Sequence, residues 1–373
     1  MSRHSHEQHS KRFQELCAIQ SPSLGERAVG AYVEGQLDKF GFEWTRDEAG
    51  EAIGGDQGNI ICKVEGENSS QSILVAAHLD TVPPGSETEA ALEDGQWSNS
   101  GDGILGIDNK AAVAAILTAL EVWSEHPPSV DVCAVFTVAE EISLLGAQEL
   151  ELPSPLPSAG FVFDHPTPIG TVIASSPSHH TIEMEFTGAS AHAGVAPEAG
   201  ASAIEAAATA VALCPGGRLD PVTTSNFGVI EGGSAVNVVP EKCRVLAEIR
   251  SQNPETLTAE TRRIVDAAHE GAGKHGCAAD VTVKPSFKGY QHADGHTALE
   301  IGEAALRSLG IEPERISSAG GSDANVFEVM GIPSLNLGDG STGTHTDAEA
   351  ISEADLQRLV ELVLALPVSA ACK

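Results

Sequence analysis

Three short apolar runs, separated by segments long enough to hold helices, most strongly constrain the fold of this 373-residue chain. Residues 72–77, 130–138 and 161–163 have the length and composition of buried strands. Between the first two runs, the Ala- and Leu-rich residues 110–124 predict a helix. Because parallel neighbours in a sheet need such crossover connections, the pattern predicts an α/β fold with a helix-covered, mostly parallel sheet.

Each of these runs is followed by residues with acidic or imidazole side chains. His78 and Asp80 follow the first run, Glu140 and Glu141 follow the second, and Asp164 follows the third. Folds of this class bind their ligands at the carboxyl ends of the strands, which lie at one edge of the sheet. We therefore expect these side chains to lie close together.

Several of these residues also have a purely structural interpretation. His78 and Asp80 can be capping or core residues, and Asp108 stands before the predicted helix as a candidate N-cap. The pair Glu140 and Glu141 is more informative. Adjacent carboxylates at the end of a buried strand lose hydration and repel each other unless a cation lies between them.

A metal centre accounts for most of the acidic and imidazole residues at once. The candidate ligands are two imidazoles and three carboxylates: His78, Asp108, Glu141, Asp164 and His345. This set is too large for one tetrahedral zinc ion, and it suits two metal ions that share a bridging carboxylate. Glu140 is then left as a candidate general base.

A second pattern begins near Pro177. Between residues 178 and 290, strand-like and helical segments follow one another in a β-α-β-β-α-β-like order. A segment of about 110 residues can fold as a separate α+β, ferredoxin-like domain. We therefore predict a catalytic domain of residues 1–177 and 291–373, interrupted by an inserted domain of residues 178–290.

The charge and the cysteine content limit which binding partners and which cellular compartment we expect for the protein. The chain has 53 Asp and Glu against 21 Lys and Arg, and its net charge of −32 disfavours nucleic acid and anionic membranes. No apolar run approaches the roughly 20 residues that span a bilayer, and the start of the chain lacks the apolar core of a secretory signal. Seven scattered cysteines without CxxC pairs are typical of reduced thiols, so we expect a cytoplasmic protein.

Eight motifs follow one another along the chain: HLDTV (78–82), GIDNKAA (106–112), TVAEEISLLGA (137–147), FDHP (163–166), TGASAHAG (187–194), GGSAVNVVP (232–240), GGSDANVF (320–327) and HTDAE (345–349). Their order resembles that of the peptidase T-like dizinc metallopeptidases. The wider family includes glutamate-releasing carboxypeptidases, aminoacylases and succinyl-diaminopimelate desuccinylases. The resemblance covers nearly the whole chain, and it implies a zinc-exopeptidase-like fold with an inserted dimerisation or lid domain.

The resemblance also divides the predicted ligands between two metal ions. It implies one zinc held by His78, Asp108 and Asp164, and a second held by Asp108, Glu141 and His345. Asp108 would bridge the two ions. Cobalt or manganese would suit the same oxygen and nitrogen ligands.

Two further residues acquire roles from the resemblance. Asp80 would orient His78, as carboxylates commonly do for metal-bound imidazoles. Glu140 would take a proton from a metal-bridging water and deliver it to the leaving amine.

The resemblance places substrate-holding residues outside the metal centre. They are His192, Asn237, Arg250 and Ser322, and His192 would act on the site of a partner subunit in a homodimer formed through the inserted domain. Arg250 can equally be a surface strand residue, and Ser322 can equally cap a loop. His165 departs from the pattern, because many relatives carry a small residue there, and it would crowd the metal site or shape a subsite.

The function implied is removal of an N-terminal residue from short peptides, as by a tripeptide aminopeptidase. The same metal site would also serve an N-acyl amino acid amidohydrolase (aminoacylase) or a dipeptide-type carboxypeptidase. A more remote alternative is a non-catalytic peptide-binding protein.

Overall fold

The computed structural model describes residues 3–373, with side chains from residue 6 onward; residues 1 and 2 of the predicted catalytic domain lie outside the described residues. The helices are α1 (Arg3–Cys17), α2 (Arg27–Phe40), α3 (Ala49–Ile53), α4 (Ile107–Glu125), α5 (Leu145–Gln148), α6 (Ala203–Leu213), α7 (Pro254–Lys274), α8 (Thr297–Ser308), α9 (Asp323–Met330) and α10 (Glu353–Ala370). The strands are β1 (Trp44–Arg46), β2 (Ile60–Val64), β3 (Asn68–His78), β4 (Ala90–Glu93), β5 (Gln96–Asn99), β6 (Val130–Thr137), β7 (Ala159–Val162), β8 (Thr171–Ser176), β9 (Ser178–Thr187), β10 (Gly217–Asp220), β11 (Thr223–Gly232), β12 (Lys242–Ser251), β13 (Ala278–Phe287), β14 (Tyr290–Gln291), β15 (Glu314–Ser317), β16 (Ser334–Leu337), β17 (Ser341–Thr342) and β18 (Ala350–Ser352).

The described residues form two compact units. The first unit contains the chain up to Ala174 together with Gln291–Ser317 and Ser322–Lys373. The second unit contains Ser175–Tyr290 and Ser318–Gly321.

The segment Ser318–Gly321 belongs to the second unit, although its sequence position predicts the catalytic domain. The backbone N–H of Ser318 donates to the Ser175 carbonyl at 2.8 Å. Gln252 Nε2 donates to the Ser318 carbonyl at 3.1 Å. These hydrogen bonds attach the segment to residues that are distant in the sequence. Domain bounds predicted from continuous stretches of sequence do not include such contacts.

The first unit is built on a nine-stranded sheet with the order β1-β2-β6-β3-β7-β16-β8-β14 and with β15 beside β8. Its central strands β6, β3, β7 and β16 are parallel neighbours. The antiparallel pairs β1–β2, β2–β6 and β16–β8 lie to either side of them. The predicted helix-covered, mostly parallel sheet is therefore confirmed, with antiparallel strands toward its edges.

Helix α4 explains why this sheet is covered so closely. It is Ala-rich and buried along most of its length, and α1 and α10 both pack against it. Small side chains let the surrounding helices approach the sheet without leaving cavities. The N-cap of α4 is Gly106 at φ 78°, so the N-cap interpretation of Asp108 is wrong: Asp108 lies one residue inside the helix, at a non-helical ψ of 105°.

The second unit is an antiparallel sheet with helices on one face. Its strand order is β10-β11-β12-β9-β13, and β9 alternates between buried and less buried positions. Ile182, Met184 and Phe186 of β9 share a core with the Ala-rich side of α6 and with α7. This arrangement matches the predicted β-α-β-β-α-β order, with β10 as an additional edge strand.

Two further observations concern membranes and thiols. Among residues 3–373, the helices are too short or too polar to cross a bilayer. All seven cysteines are free thiols, and five of them are buried.

Candidate active site

The carboxyl ends of the central strands bring the predicted metal ligands together. His78 is the last residue of β3, Glu141 follows β6, and Asp164 follows β7. Asp108 lies in the first turn of α4. His345 lies in the loop between β17 and β18 at φ 64°, a left-handed conformation that non-glycine residues adopt mainly where the surrounding structure holds them.

These five residues form two adjoining clusters that share Asp108. In the first cluster, His78 Nε2 lies 3.0 Å from Asp108 Oδ1 and 3.8 Å from Asp164 Oδ1. In the second, His345 Nε2 lies 3.0 Å from Glu141 Oε2 and 3.3 Å from Asp108 Oδ2. Within each cluster one ligand atom of every residue lies within 4.8 Å of the others. Asp108 therefore presents one carboxylate oxygen to each cluster.

The electrostatics of these clusters favour bound cations. Burial and the neighbouring Asp108 raise the pKa of Asp164 to about 7. Hydrogen bonds to Asp108 and Glu141 raise the pKa of His345 to about 10. Asp164 and His345 thus bind their protons more tightly than free side chains do, because many carboxylates lie close together in a buried space. Two divalent cations would supply that positive charge, and the nitrogen and oxygen donors suit them.

Glu140 lies beside the clusters without belonging to either. Its residue is only 9% exposed. Burial raises its pKa well above the usual value, and the charges of Asp164, Asp323 and Glu141 add to the rise. A buried carboxyl of raised pKa next to a metal-ligand set has the properties of a general acid or base.

The carboxylate of Asp80 holds the backbone of the Glu140–Glu141 segment. Its Oδ1 accepts from the Glu140 N–H at 2.9 Å, and its Oδ2 accepts from the Glu141 N–H at 3.1 Å. Ser23 Oγ also donates to Oδ2 at 2.7 Å. His78 Nδ1 lies 2.9 Å from the backbone oxygen of Asp80 and 3.5 Å from its carboxylate. The nearer partner of the imidazole is thus the Asp80 backbone, a contact that fixes which nitrogen faces Asp108.

Two positioning residues were not predicted as site residues. Glu349 accepts from the backbone N–H groups of Gly106 at 2.7 Å and Asp108 at 3.1 Å. Asn336 holds Asp164 from both sides: its Oδ1 accepts from the Asp164 N–H at 3.0 Å, and its Nδ2 donates to the Asp164 carbonyl at 2.8 Å. Glu349 is the last residue of the HTDAE motif, which was the available signal. Asn336 lies in a buried strand and has no comparable signal.

Glu26 is a third such residue. It is buried, and its Oε1 accepts from the Ala139 N–H at 3.0 Å, next to Glu140 in the chain. Burial and the charge of Asp80 raise its pKa to about 7. Glu26 therefore supports the same backbone segment as Asp80 from another direction.

Ser322 and Asp323 begin helix α9. The Ser322 N–H donates to Asn325 Oδ1 at 3.0 Å, which is half of a capping box. Asp323 accepts from Thr137 Oγ1, at the end of β6, and burial raises its pKa to about 6. Ser322 thus occupies the N-cap position of α9, and its role in substrate binding stays a prediction.

The other predicted substrate residues lie in the second unit. His192 is exposed and pairs with Val238 as an isolated bridge, and the Ala193 N–H donates to the Asn237 carbonyl at 2.9 Å. Arg250 lies in β12 and donates to Glu248 Oε2 at 3.0 Å. The segments of His192 and Asn237 are therefore neighbours, while Arg250 has a carboxylate partner on its own strand. Their roles toward substrate stay predictions.

His165, the departure noted in the sequence, is part of the first unit. Its Nδ1 lies 3.1 Å from Thr167 Oγ1, and its backbone oxygen accepts from the Asp339 N–H at 3.0 Å. Burial lowers the pKa of its imidazole. The ring is therefore turned toward its own loop by Thr167.

Known proteins that are similar to this chain include several peptidases. A model of a peptidase dimerisation domain matches residues 176–276, and a model of peptidase family M28 matches residues 59–164. The uncharacterized protein YqjE of Bacillus subtilis is 33% identical over 362 residues, which cover 97% of this chain and 98% of that protein. The crystal structure of aminopeptidase PepT from Bacillus cereus has a TM-score of 0.85 to this chain at 33% sequence identity. That of a tripeptidase from Staphylococcus aureus has a TM-score of 0.90 at 31% sequence identity. Each alignment covers 99% of both chains.

Together, the ligand clusters and these similarities show that this protein is a metal-dependent hydrolase that acts on peptides. Within that class, the chain belongs to the peptidase T-like family of metallopeptidases, because full-length relatives above 30% identity share its sequence and fold. The predicted family, fold class and type of enzyme are confirmed.

Proposed function

We propose that this metallopeptidase removes the N-terminal residue from short peptides, with tripeptides as its preferred substrates. The observation that carries the proposal is the pair of ligand clusters joined at Asp108, with the buried carboxyl of Glu140 beside them. The substrate class is supported by two similar full-length structures, one of an aminopeptidase and one of a tripeptidase.

We propose zinc as the resident metal, with cobalt or manganese as substitutes. His78, Asp108 and Asp164 would hold one ion, and Asp108, Glu141 and His345 would hold the other. When bound, two such cations lower the pKa of water and polarise the scissile carbonyl. No nucleophilic serine or cysteine is then needed.

Glu140 moves the proton in this mechanism. Burial raises the pKa of this carboxyl well above its usual value, which favours its taking up a proton and delivering it to the nitrogen of the leaving amine. Asp80 keeps Glu140 at the site through the backbone hydrogen bond at 2.9 Å. Burial excludes bulk water from this carboxyl, which strengthens its interaction with the charge that develops during the reaction.

The remaining parts of the proposal concern substrate contacts and assembly. His192, Asn237, Arg250 and Ser322 are proposed to hold the substrate. A homodimer is proposed through the second unit, where a peptidase dimerisation domain model matches residues 176–276 and strand β11 exposes Ile230. Light scattering tests the assembly, and a monomer at all concentrations would contradict it. The free thiols support a cytoplasmic location.

The decisive experiment compares one tripeptide with a free amine and with an acetylated amine. Enzyme stripped by a chelator should be inactive, and zinc should restore cleavage of the free-amine form only, releasing the N-terminal residue. Cleavage of only the acetylated form would identify an amidohydrolase, and release of the C-terminal residue would identify a carboxypeptidase.

A variant pair completes this test. Glu140→Gln should keep its metal and lose turnover, because the amide cannot carry the proton. Glu151→Gln, at an exposed position, is the matched control and should behave as wild type. Ordinary turnover in Glu140→Gln would contradict the role given to Glu140.

A further inference from the structure

A separate group of metal-binding side chains lies in the first unit. It consists of His292, His296 and Glu328, whose nearest ligand atoms all lie within 4.8 Å of one another. His292 follows β14, His296 precedes α8 as its N-cap, and Glu328 lies in the last turns of α9. The group shares no residue with the two clusters at Asp108.

The structure brings three donor groups close together. The imidazole rings of His292 and His296 are stacked, with their centroids 3.8 Å apart and their planes at 22°. His296 Nε2 lies 3.0 Å from Glu328 Oε1. The same carboxylate oxygen accepts from the Ser334 N–H at 2.6 Å, which fixes its direction. A backbone contact of this kind is the support that metal-ligating side chains commonly have.

The donor set selects a class of ion. Two imidazole nitrogens and one carboxylate oxygen are the ligands of borderline divalent cations such as zinc, and they leave a fourth position for water. The side chains of His296 and Glu328 are 19% and 25% exposed, so an ion can enter from solvent. Calcium and magnesium, which prefer oxygen ligands, fit this set poorly.

We propose that His292, His296 and Glu328 form a third metal site, which binds one divalent cation of the zinc class independently of the dinuclear centre. Binding at His296 Nε2 displaces the proton that this nitrogen shares with Glu328. That proton moves to Nδ1, and the long N-cap contact from the Leu299 N–H, at 3.4 Å, is given up. The bound ion would connect the segment after β14, the start of α8 and the end of α9.

The test counts metal on the full-length chain. Protein is stripped with a chelator, equilibrated with zinc and washed, and zinc per chain is measured by mass spectrometry. Wild type should retain one equivalent more than His292→Asn or His296→Asn. Asparagine is chosen at position 296 because it is a good N-cap and preserves the start of α8. His126→Asn, at an exposed position after α4, is the matched control and should retain the wild-type count.

Two further readouts separate this site from the dinuclear centre. Glu328→Gln keeps an acceptor for the Ser334 N–H, and it should weaken zinc affinity at this site by at least about tenfold, since even indirect partners of a ligand have effects of 10–100-fold. Tripeptide hydrolysis by all three variants should stay at the wild-type level, which shows that they fold. Equal zinc counts in wild type and in the histidine variants would overturn the proposal, and so would the loss of more than one equivalent.

Discussion

The backbone N–H of Glu140 donates to the carboxylate of Asp80 at 2.9 Å. Asp80 is fully buried, and although burial alone would raise its pKa, hydrogen bonds from His78, Ser23 and Glu140 hold that pKa below the usual value. Its charge is therefore permanent near neutral pH. Glu140, the proposed general base, is thus attached through its backbone N–H to a carboxylate that stays charged.

Replacing Asp80 by Asn should misplace the Glu140–Glu141 segment. The amide N–H₂ group would face one of the two backbone N–H groups that the carboxylate now accepts. We expect kcat to fall by roughly 100-fold, as displacements of about 1 Å at a reacting group do. Asp102→Asn, at an exposed loop position, is the matched control. Steady-state kinetics measures the effect, and an unchanged kcat for Asp80→Asn would contradict it.

Glu349→Gln should weaken metal binding at both clusters together. Glu349 accepts from the backbone of Gly106 and Asp108, and Asp108 is the proposed ligand that the two clusters share. We expect a loss of about tenfold or more in affinity for each ion. Competition with chelators of graded strength measures this loss. Glu151→Gln should match wild type, and selective loss of only one ion from Glu349→Gln would show that Asp108 is held by other contacts.

Removal of the metal should lower the thermal stability of the protein. Without cations, Asp164 and Glu140 are crowded by like charges and their pKa values are raised. An ion present at 1,000 times its Kd stabilises the folded state by about 4 kcal/mol. Melting curves with chelator and with zinc measure the difference. The shift should persist in Glu140→Gln and shrink in Asp108→Asn, and equal shifts in these variants would argue against Asp108 as a ligand.

His9 should make stability depend on pH. Burial lowers its pKa to about 4, while its ring nitrogens lie 3.0 Å from Thr118 Oγ1 and 3.0 Å from the Leu356 carbonyl. The unfolded chain has the usual pKa near 6.5 and binds a proton more readily. Stability from this residue is therefore complete above pH 6.5 and is lost as pH falls toward 4.

We expect this loss to reach about 2 kcal/mol between pH 7.5 and pH 5. Urea unfolding at the two pH values measures it. His9→Gln removes the titrating group and should show a correspondingly smaller difference, and an identical pH dependence in the variant would assign the effect to other residues.

The hydrophobic pattern was sufficient to predict the central sheet and the edge at which the candidate ligands meet. Apolar runs before His78, Glu140 and Asp164 became the parallel strands β3, β6 and β7, because buried parallel strands leave a continuous apolar signal. The helix after Asp108 was predicted for a similar reason. These patterns can be predicted because they arise from residues that are close together in the sequence.

The supporting contacts could not be predicted in the same way. Glu349 holds Asp108 across 241 residues, and Asn336 holds Asp164 across 172 residues. Each contact joins a side chain to a backbone group, so the sequence shows no charge pairing or periodicity at either end. The turn at Gly106 is a similar case, since Asp108 has the composition of an N-cap but the glycine takes that position.

The separation of the ligands along the chain sets an order of events during synthesis. Glu141 and His345 meet at the site although they are 204 positions apart in the sequence. At roughly 5–20 residues per second, a ribosome needs about 10–40 s to proceed from one to the other. The second cluster cannot form until His345 has left the ribosome. A nascent chain that has not reached this point thus lacks one of the two clusters, and we expect it to be inactive.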